Sequence, residues 1–582
     1  MPAPPTPAPV PAPPGSPNVL FIAIDDMRPS IGAYGAPVVT PAMDGLARDA
    51  LLFSRAYANF PWCNPSRNSL LSGRRPDSNK VWNFNVDLRT SEPTVGATYV
   101  TLPQHFKTHG YYTTSTGKIF HGANSMAAGG HPLHGDYPLS WTEEPTDHGK
   151  HGCDNATAPA GAPASFPATR PGSATWCDGG FHSGVAALEA AGLGSGSGKN
   201  GTYYADTAIT TDALSRLNAS LAANQTKPWF LAVGYRDPHL PWRYPSKFGD
   251  LYPSGSVRGT SHASVPQDVP AMAWQWPVYF NGNYGSFWNL TVRAHVVLDA
   301  EEVAVATKAY YATISFTDSE IGRLLAALKA SGVYDSTLIV LWSDHGQNVG
   351  EHATWCKMSA WEHSLRVAML MKPPTATRRS PTRAGPPLIP PQLYAGRVYP
   401  HPVELLDIYK TLVDLSGLPA PQAGVEGDSL ARAFRDPTKE VKAQPGAFSQ
   451  TTRCLLNASG ISGNKYVADA KDKSTYYAAC VRTNRADFAF MGYSLRTREW
   501  RYTYWATWEP SLRPDLSAGP AGEELYDHRK DTALYDVEDF EFVNLAEDGA
   551  FASVKAQLRH QLEATVGSWQ RAKSSEENER TL

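Results

Sequence analysis

Three short, largely apolar runs in this chain each end in polar or charged residues. The runs cover residues 18–24, 229–235 and 337–342. Their length and content predict strands that are buried on both faces, as in a parallel sheet. Because the carboxyl ends of parallel strands share one edge of a sheet, the polar residues that follow should meet there. The chain is therefore predicted to be an α/β protein with its functional site at that edge.

Two adjacent carboxylates, Asp25 and Asp26, follow the first run. Aspartate is common where a strand ends in a turn, so this position is by itself open to a structural interpretation. Adjacent acids repel each other, however, and a bound cation would relieve that repulsion. Asp344 follows the third run and offers another oxygen ligand of the kind that calcium prefers.

A cysteine-containing stretch at residues 61–74 reads Pro-Trp-Cys-Asn-Pro-Ser-Arg-Asn-Ser-Leu-Leu-Ser-Gly-Arg. Pro65 disfavours a helix at the residue before it. Ser66 is expected to cap a helix over residues 67–72, which Gly73 ends. This predicts a short helix whose first turn lies close to the cysteine.

Cys63 would then lie just ahead of a helix N-terminus, a favourable place for an anion. Arg67, one turn further on, can point back at it. A lone cysteine is more often a buried structural thiol or half of a disulfide. The complete Cys-Asn-Pro-Ser-Arg pattern, with a Gly before a basic residue, instead favours a chemical role for Cys63.

This stretch resembles the signature of the formylglycine-dependent sulfatases. In that family a dedicated formylglycine-generating enzyme oxidises the cysteine to an aldehyde, 3-oxoalanine, whose hydrate is the nucleophile. The resemblance implies that Cys63 is a precursor of this group. It also implies one divalent metal ion, calcium, bound by Asp25, Asp26, Asp344 and the residue at position 63. His345 either binds that metal or hydrogen-bonds the nucleophile.

Other segments are similar to the iduronate-2-sulfatase-like branch of this family. Gly-Lys-x-Phe-His places Lys118 and His121 after a predicted strand, although the two residues alone are as easily a solvated lysine and a satisfied histidine. A longer pattern from Asp-His-Gly to Trp-x-Lys ends at Lys357. The segment Arg-Asp-Pro-His-x-Pro is similar to the family's His-x-Pro-His-x-Pro, so that His239 matches an active-site histidine. Arg236 replaces the first histidine of that segment and would add a contact to the anion.

The resemblance implies a role for each catalytic candidate. Arg67 would hold the hydrate, and Lys118, His121 and Lys357 would clamp the sulfate. His239 would give a proton to the departing alcohol. Gln347 stands where the branch often carries Trp, so the sugar is left open. A glycosaminoglycan with a 2-O-sulfated uronic acid, an algal polysaccharide and an aryl sulfate are all substrates to consider.

The expected architecture is an alkaline-phosphatase/sulfatase-like large mixed, mostly parallel sheet flanked by helices, with a smaller C-terminal α+β subdomain. The predicted divisions are a Pro-rich linker (1–17), a catalytic domain (18–440) and the subdomain (441–582), since 582 residues exceed one simple core. Residues 492–508 alternate like antiparallel strands with one solvated face. Residues 122–199 are interpreted as an insertion over the active-site face.

Composition limits the partners and the compartment. A net charge of −3 gives no bulk attraction to nucleic acid, and no apolar run is long enough to span a membrane. Short local loops suggest pairing of Cys153 with Cys177 and of Cys454 with Cys480, with Cys356 outside both pairs. These pairs and six Asn-x-Ser/Thr sequons favour a secreted or lysosome-like protein, although no signal peptide is visible.

Two other functions fit part of the pattern. A phosphatase or phosphonate monoesterase of the same fold would share the metal-binding edge and, in some members, the cysteine motif. A secreted, non-catalytic binder would present the basic cleft to sulfated glycans, but would be expected to lack a catalytic residue. The predicted partner in catalysis is a sulfated carbohydrate or a small sulfate ester.

Overall fold

The computed structural model describes residues 10–121, 134–148, 204–223, 227–240, 242, 244–264, 266–274, 300–378, 388–443, 446–455, 477–478, 480–532 and 540–581. Most of the expected insertion over residues 122–199, including Cys153 and Cys177, lies outside these ranges. None of the described helices combines the length and the apolar composition needed to cross a membrane.

The strands are β1 (Asn18–Ile24), β2 (Leu51–Phe53), β3 (Ala56–Tyr57), β4 (Tyr112–Gly117), β5 (Trp229–Tyr235), β6 (Thr337–Ser343), β7 (Asn348–Val349), β8 (Trp355–Cys356), β9 (Arg366–Val367), β10 (Met369–Lys372), β11 (Arg397–Tyr399), β12 (Val403–Glu404), β13 (Ala447–Leu455), β14 (Tyr477–Ala478), β15 (Phe490–Arg496), β16 (Trp500–Glu509), β17 (Arg513–Asp515) and β18 (Gly522–Asp527). The α-helices are α1 (Pro41–Asp49), α2 (Cys63–Ser72), α3 (Pro76–Asn79), α4 (Pro93–Gly96), α5 (Leu102–Thr108), α6 (Ala205–Ala223), α7 (Ser246–Gly249), α8 (Ala300–Ala330), α9 (Glu362–Leu365), α10 (Asp407–Leu415) and α11 (Ala552–Thr581).

A seven-stranded sheet forms the centre of the larger part of the molecule. Its strand order is β11-β2-β10-β6-β1-β5-β4. β1 pairs in parallel with β5 and β6, and β4 pairs in parallel with β5. β10 runs antiparallel to β6 and β2, while β11 runs parallel to β2. The predicted mixed, mostly parallel sheet is therefore confirmed. The three apolar runs form β6, β1 and β5, which lie side by side in it.

Helices cover both faces of this sheet because successive side chains of β1 point to opposite sides. Leu20 and Ile22 pack in one core with residues of α1, α6 and α8. Val19 and Phe21 pack in a second core with residues of α2, α5 and α10. All of β1 is buried, as the continuous apolar run predicts. α10 begins at Asp407, after the short strand β12.

The C-terminal sheet has the order β14-β13-β15-β16-β17, with β18 also paired to β16. β15 and β16 are antiparallel, as predicted. The prediction that one face of these strands is solvated is wrong. Leu562 of α11 shares a core with Tyr502 on one face, and Trp505 packs with Trp361 of the larger part on the other. The polar alternation comes from residues such as Arg501, whose guanidinium is buried between Glu362 and Glu541.

Cys454, at the end of β13, forms a disulfide with Cys480, so this predicted pair is confirmed. Cys63 and Cys356 are buried thiols.

The Cys454–Cys480 disulfide closes a loop with a sequence separation of 26 residues. Replacing both cysteines with serine should lower the free energy of unfolding by about 3 kcal/mol, because the unfolded chain regains loop entropy. Urea titration of the full chain measures this, and an unchanged midpoint would show that the bond adds no stability.

Candidate active site

The neighbouring strands β6, β1, β5 and β4 end at one edge of the large sheet, and the predicted site residues follow them. Asp25 and Asp26 follow β1, and Asp344 and His345 follow β6. Lys118 follows β4, beside β5. An added Cβ at Gly234 of β5 would lie 2.1 Å from the carbonyl oxygen of Lys118, so glycine permits this close approach.

Cys63 is the first residue of α2, which corrects the predicted helix start at residue 67. Pro65 is tolerated because it lies in the first turn, where amide groups have no partner within the helix. Ser66 is not the N-cap, since its hydroxyl donates to the carbonyl oxygen of Asp344 at 2.5 Å. Gly73 ends the helix in a left-handed conformation, as predicted. The helix thus presents Cys63 at the edge of the sheet.

The thiol of Cys63 lies among four of the predicted site residues. Its Sγ is 3.3 Å from Asp25 Oδ1, 3.8 Å from Asp26 Oδ1 and 3.2 Å from His345 Nε2. Lys357, which follows β8, brings its Nζ to 3.3 Å from the same sulfur. Burial, and secondarily the charge of Asp25, raises the pKa of the Cys63 thiol. The thiol is therefore neutral and a poor nucleophile as it stands.

The two lysines flank the cysteine and pair with the adjacent acids. Lys118 Nζ forms an ion pair with Asp25 Oδ2, and Lys357 Nζ lies 2.5 Å from Asp26 Oδ1. Burial opposes the charge of Asp25, yet Lys118 and other nearby cations hold its pKa well below the usual value. The site therefore keeps both acids ionised and two ammonium groups close to residue 63.

Arg67 is fully buried, and its guanidinium binds the acids of this edge. Its Nε lies 2.8 Å from Asp344 Oδ2 and its Nη2 lies 3.3 Å from Asp25 Oδ1. It also donates to the carbonyl oxygens of Lys118 and Ile119. Burial disfavours its charge, but Asp344 and Asp25 raise the pKa of Arg67. Arg67 therefore joins the ends of β1, β4 and β6.

The histidines differ in their surroundings. Nδ1 of His345 lies 2.9 Å from the carbonyl oxygen of Gly346, which can only accept, so neutral His345 presents the Nε2 lone pair to Cys63. His239 is half-buried, and its Nδ1 likewise faces the carbonyl oxygen of Leu240 at 2.5 Å. Burial lowers the pKa of His239 to about 4, although Asp26 opposes this. The half-buried ring of His121 instead packs against Phe84, with centroids 4.7 Å apart.

A divalent cation fits the side chains at this edge. Four predicted ligands bring one ligand atom each to within 4.8 Å of one another: Asp25, Asp26, Cys63 and His345. Asp344 adjoins this group, but its oxygens accept hydrogen bonds from Arg67 Nε and from the amide groups of Asp26 and His345. Carboxylate oxygens suit calcium, and the neutral imidazole of His345 can also bind a cation.

The structure also shows contributions that the sequence did not indicate. Asp206 on α6 accepts a hydrogen bond from the amide of Arg236 at 2.8 Å, and so orients the segment that carries His239. Arg236 itself pairs with Asp147, so another segment of the chain engages its side chain. Ser343 Oγ accepts a hydrogen bond from the Met27 amide at 2.8 Å. Ser343 directly precedes the Asp-His-Gly pattern, whereas nothing in the sequence singled out Asp206.

A family model and several sequence relatives connect this chain to sulfatases. A family model described as Sulfatase matches residues 17–418. Iduronate 2-sulfatases of Mus musculus and Homo sapiens are each 30% identical to this chain, over 517 and 516 residues, covering 85% of this chain and 85% and 86% of their own. A sulfatase of Formosa agariphila is 31% identical over 432 residues, covering 72% of this chain and 73% of its own.

Solved structures agree on the fold. A protein in complex with its substrate D-glucosamine-2-N,6-O-disulfate has a TM-score of 0.61 at 16% identity, covering 96% of this chain and 98% of its own. A phosphonate monoester hydrolase of Agrobacterium radiobacter has a TM-score of 0.62 at 19% identity, covering 95% and 96%. At such identities the likeness concerns the fold alone. The family match and the 30% identical relatives confirm the resemblance drawn from the motifs: the chain belongs to the sulfatase family and is a sulfuric ester hydrolase.

Proposed function

We propose that this enzyme cleaves the S–O bond of sulfated sugars with a formylglycine made from Cys63 and one bound calcium ion. The observation that carries the proposal is the position of Cys63 Sγ, within 3.3 Å of Asp25, His345 and Lys357.

The two proposed groups would have separate tasks. A formylglycine hydrate at position 63 would supply one hydroxyl to attack sulfur and a second to release sulfate afterwards, and a thiol has no second hydroxyl. Calcium, held by Asp25, Asp26, Asp344 and His345, would supply positive charge that lowers the pKa of a bound hydroxyl and polarises the sulfate. The calcium proposal is supported by the convergence of Asp25, Asp26 and His345 on residue 63.

The remaining side chains would bind and orient the ester. Lys118 and Lys357 would hold the sulfate oxygens from two sides of residue 63, where burial strengthens their charge–charge interactions. Arg67 would keep Asp25 and Asp344 in place and hold the hydrate. His121, whose pKa burial and the charge of Lys118 keep well below the usual value, would contact the sulfate as a neutral ring.

His239 is the proposed proton donor to the departing alcohol. Burial lowers its pKa to about 4, so its protonated form is a strong acid, and an adjacent anionic ester would favour that form. His239→Gln should reduce kcat about 10²- to 10⁴-fold for sugar sulfates. It should have much less effect on nitrophenyl sulfate, because a phenolate leaves without a proton. Steady-state kinetics with both esters measure this, and equal losses would contradict the role.

The test of the nucleophile is a mass spectrum of the tryptic peptide covering residues 56–67, from protein purified from its own source. A mass loss matching conversion of thiol to aldehyde at Cys63 is expected. An intact thiol in native, active protein would overturn the proposal. Assaying sulfate and phosphate esters side by side tests the phosphatase alternative, and catalytic turnover of any sulfated sugar excludes a pure binder.

The first substrate to assay is a glycan with a 2-O-sulfated uronic acid. This choice is supported by the iduronate 2-sulfatases among the relatives. We further propose a secreted or lysosome-like location. The disulfide between Cys454 and Cys480 and the exposed sequon residue Asn218 support passage through an oxidising compartment.

A further inference from the structure

Asp26 adopts an unusual backbone conformation next to the nucleophile position. Its φ is 63°, in the left-handed region that residues with a side chain rarely adopt. This conformation aims its carboxylate at Lys357 Nζ, 2.5 Å away, and at His345 Nε2, 3.3 Å away. Such a conformation persists only where surrounding contacts hold it. The groups that hold this turn therefore control where the carboxylate lies.

Hydrogen bonds from two different elements hold the turn. The Asp26 amide donates to Asp344 Oδ1 at 3.1 Å, and the Met27 amide donates to Ser343 Oγ at 2.8 Å. Of these two acceptors, Ser343 is the last residue of β6 and Asp344 follows it. On the opposite side, the hydroxyl of Tyr310 on α8 donates to the carbonyl oxygen of Asp26 at 2.9 Å. The same hydroxyl accepts a hydrogen bond from the Arg28 amide at 3.2 Å.

We propose that Tyr310 is a positioning residue for the cation site, a deduction that rests on the proposed calcium ion. Its hydroxyl bridges the peptide groups of Asp26 and Arg28 and so ties the left-handed turn to α8. The ring of Tyr310 is fully buried and packs against Trp242, with centroids 5.7 Å apart. Removing only the hydroxyl keeps this packing but frees the turn to move the Asp26 carboxylate.

Tyr310→Phe tests the proposal, with Tyr252→Phe as a matched control. Tyr252 also has a buried hydroxyl that contacts α8, since it lies 2.7 Å from Ser315 Oγ and accepts from the Val39 amide at 2.9 Å. The two variants therefore lose similar contacts, but of the two tyrosines only Tyr310 contacts the backbone of the active site. Calcium affinity of each full-length, chelator-treated protein is measured by titration calorimetry, beside kcat and KM.

Tyr310→Phe should weaken calcium binding and lower kcat about 10- to 100-fold, the usual effect of residues that orient metal ligands. KM should change less, because the lysines that hold the sulfate remain. Tyr252→Phe should change neither quantity, while both variants lose similar thermal stability. Equal calcium affinities in the two variants would overturn the role of Tyr310. If the wild-type protein does not bind calcium, the proposed metal is overturned. In that case, a kcat loss in Tyr310→Phe but not in Tyr252→Phe would still support positioning of Asp26 by Tyr310.

Discussion

Cys63→Ser should abolish sulfate-ester turnover, with a loss on the order of 10⁴- to 10⁶-fold, the scale seen when hydrolases lose their nucleophile. Serine differs from cysteine by one atom, but the proposed conversion to formylglycine starts from the cysteine. Folding should be almost unaffected, because the buried thiol is neutral and a hydroxyl can make similar contacts with Asp25 and Lys357. Kinetics on a sulfated sugar and the urea midpoint measure the two effects.

The control for this variant is wild-type protein produced in a host without the converting enzyme. Its Cys63 stays a thiol, so its activity should fall to that of Cys63→Ser, and co-expression of the converting enzyme should restore activity only in the wild type. Near-normal turnover by Cys63→Ser would contradict the assignment of residue 63 as the nucleophile. A large fall in the urea midpoint would show instead that the cysteine has a structural role.

Lys118→Ala should lower kcat/KM for a sulfated sugar about 10²- to 10³-fold, the usual loss on removal of one group that stabilises transition-state charge. The effect should be large because Lys118 is buried beside Asp25, where water screens its charge poorly. Stability should change much less, since Arg67 also pairs with Asp25 and compensates part of its charge. Kinetics and urea unfolding on the same preparation measure both quantities.

Lys439→Ala serves as the control for loss of a lysine, since its side chain is 78% exposed and pairs only at the surface with Asp436. This variant should keep both activity and stability, because exposed ion pairs contribute little. If Lys118→Ala lost activity and stability in equal measure, Lys118 would be a structural partner of Asp25. Full activity of Lys118→Ala would remove it from the sulfate site altogether.

The site could be predicted closely where a residue follows a buried strand. Asp25 and Asp344 directly follow adjacent parallel strands, and parallel pairing leaves their positions little freedom. Arg236 shows where this reasoning stops. It also follows a buried strand, yet its guanidinium turns to Asp147 on another segment. The apolar pattern of a strand indicates where that strand ends. The direction of a long side chain after it depends on charged groups from elsewhere in the chain.

The C-terminal sheet shows a related limit. Alternating polar residues in β16 predict a solvated face, because polar groups usually face water. Arg501 is nevertheless buried, and Glu362 and Glu541 satisfy its guanidinium. A buried charge is tolerated when partners of opposite charge satisfy it. These partners lie 139 and 40 residues away along the chain, so local patterning could not indicate them.

The sequence by itself determined the fold class, the sheet edge that carries the site and the chemical types gathered there, because apolar periodicity and short motifs are local properties. Only the tertiary structure decided that α2 begins at Cys63, that Arg67 joins three strand ends and that Tyr310 holds the turn at Asp26. Those features depend on hydrogen bonds between groups far apart in the chain, whose distances and directions are set when the helices and sheets pack together.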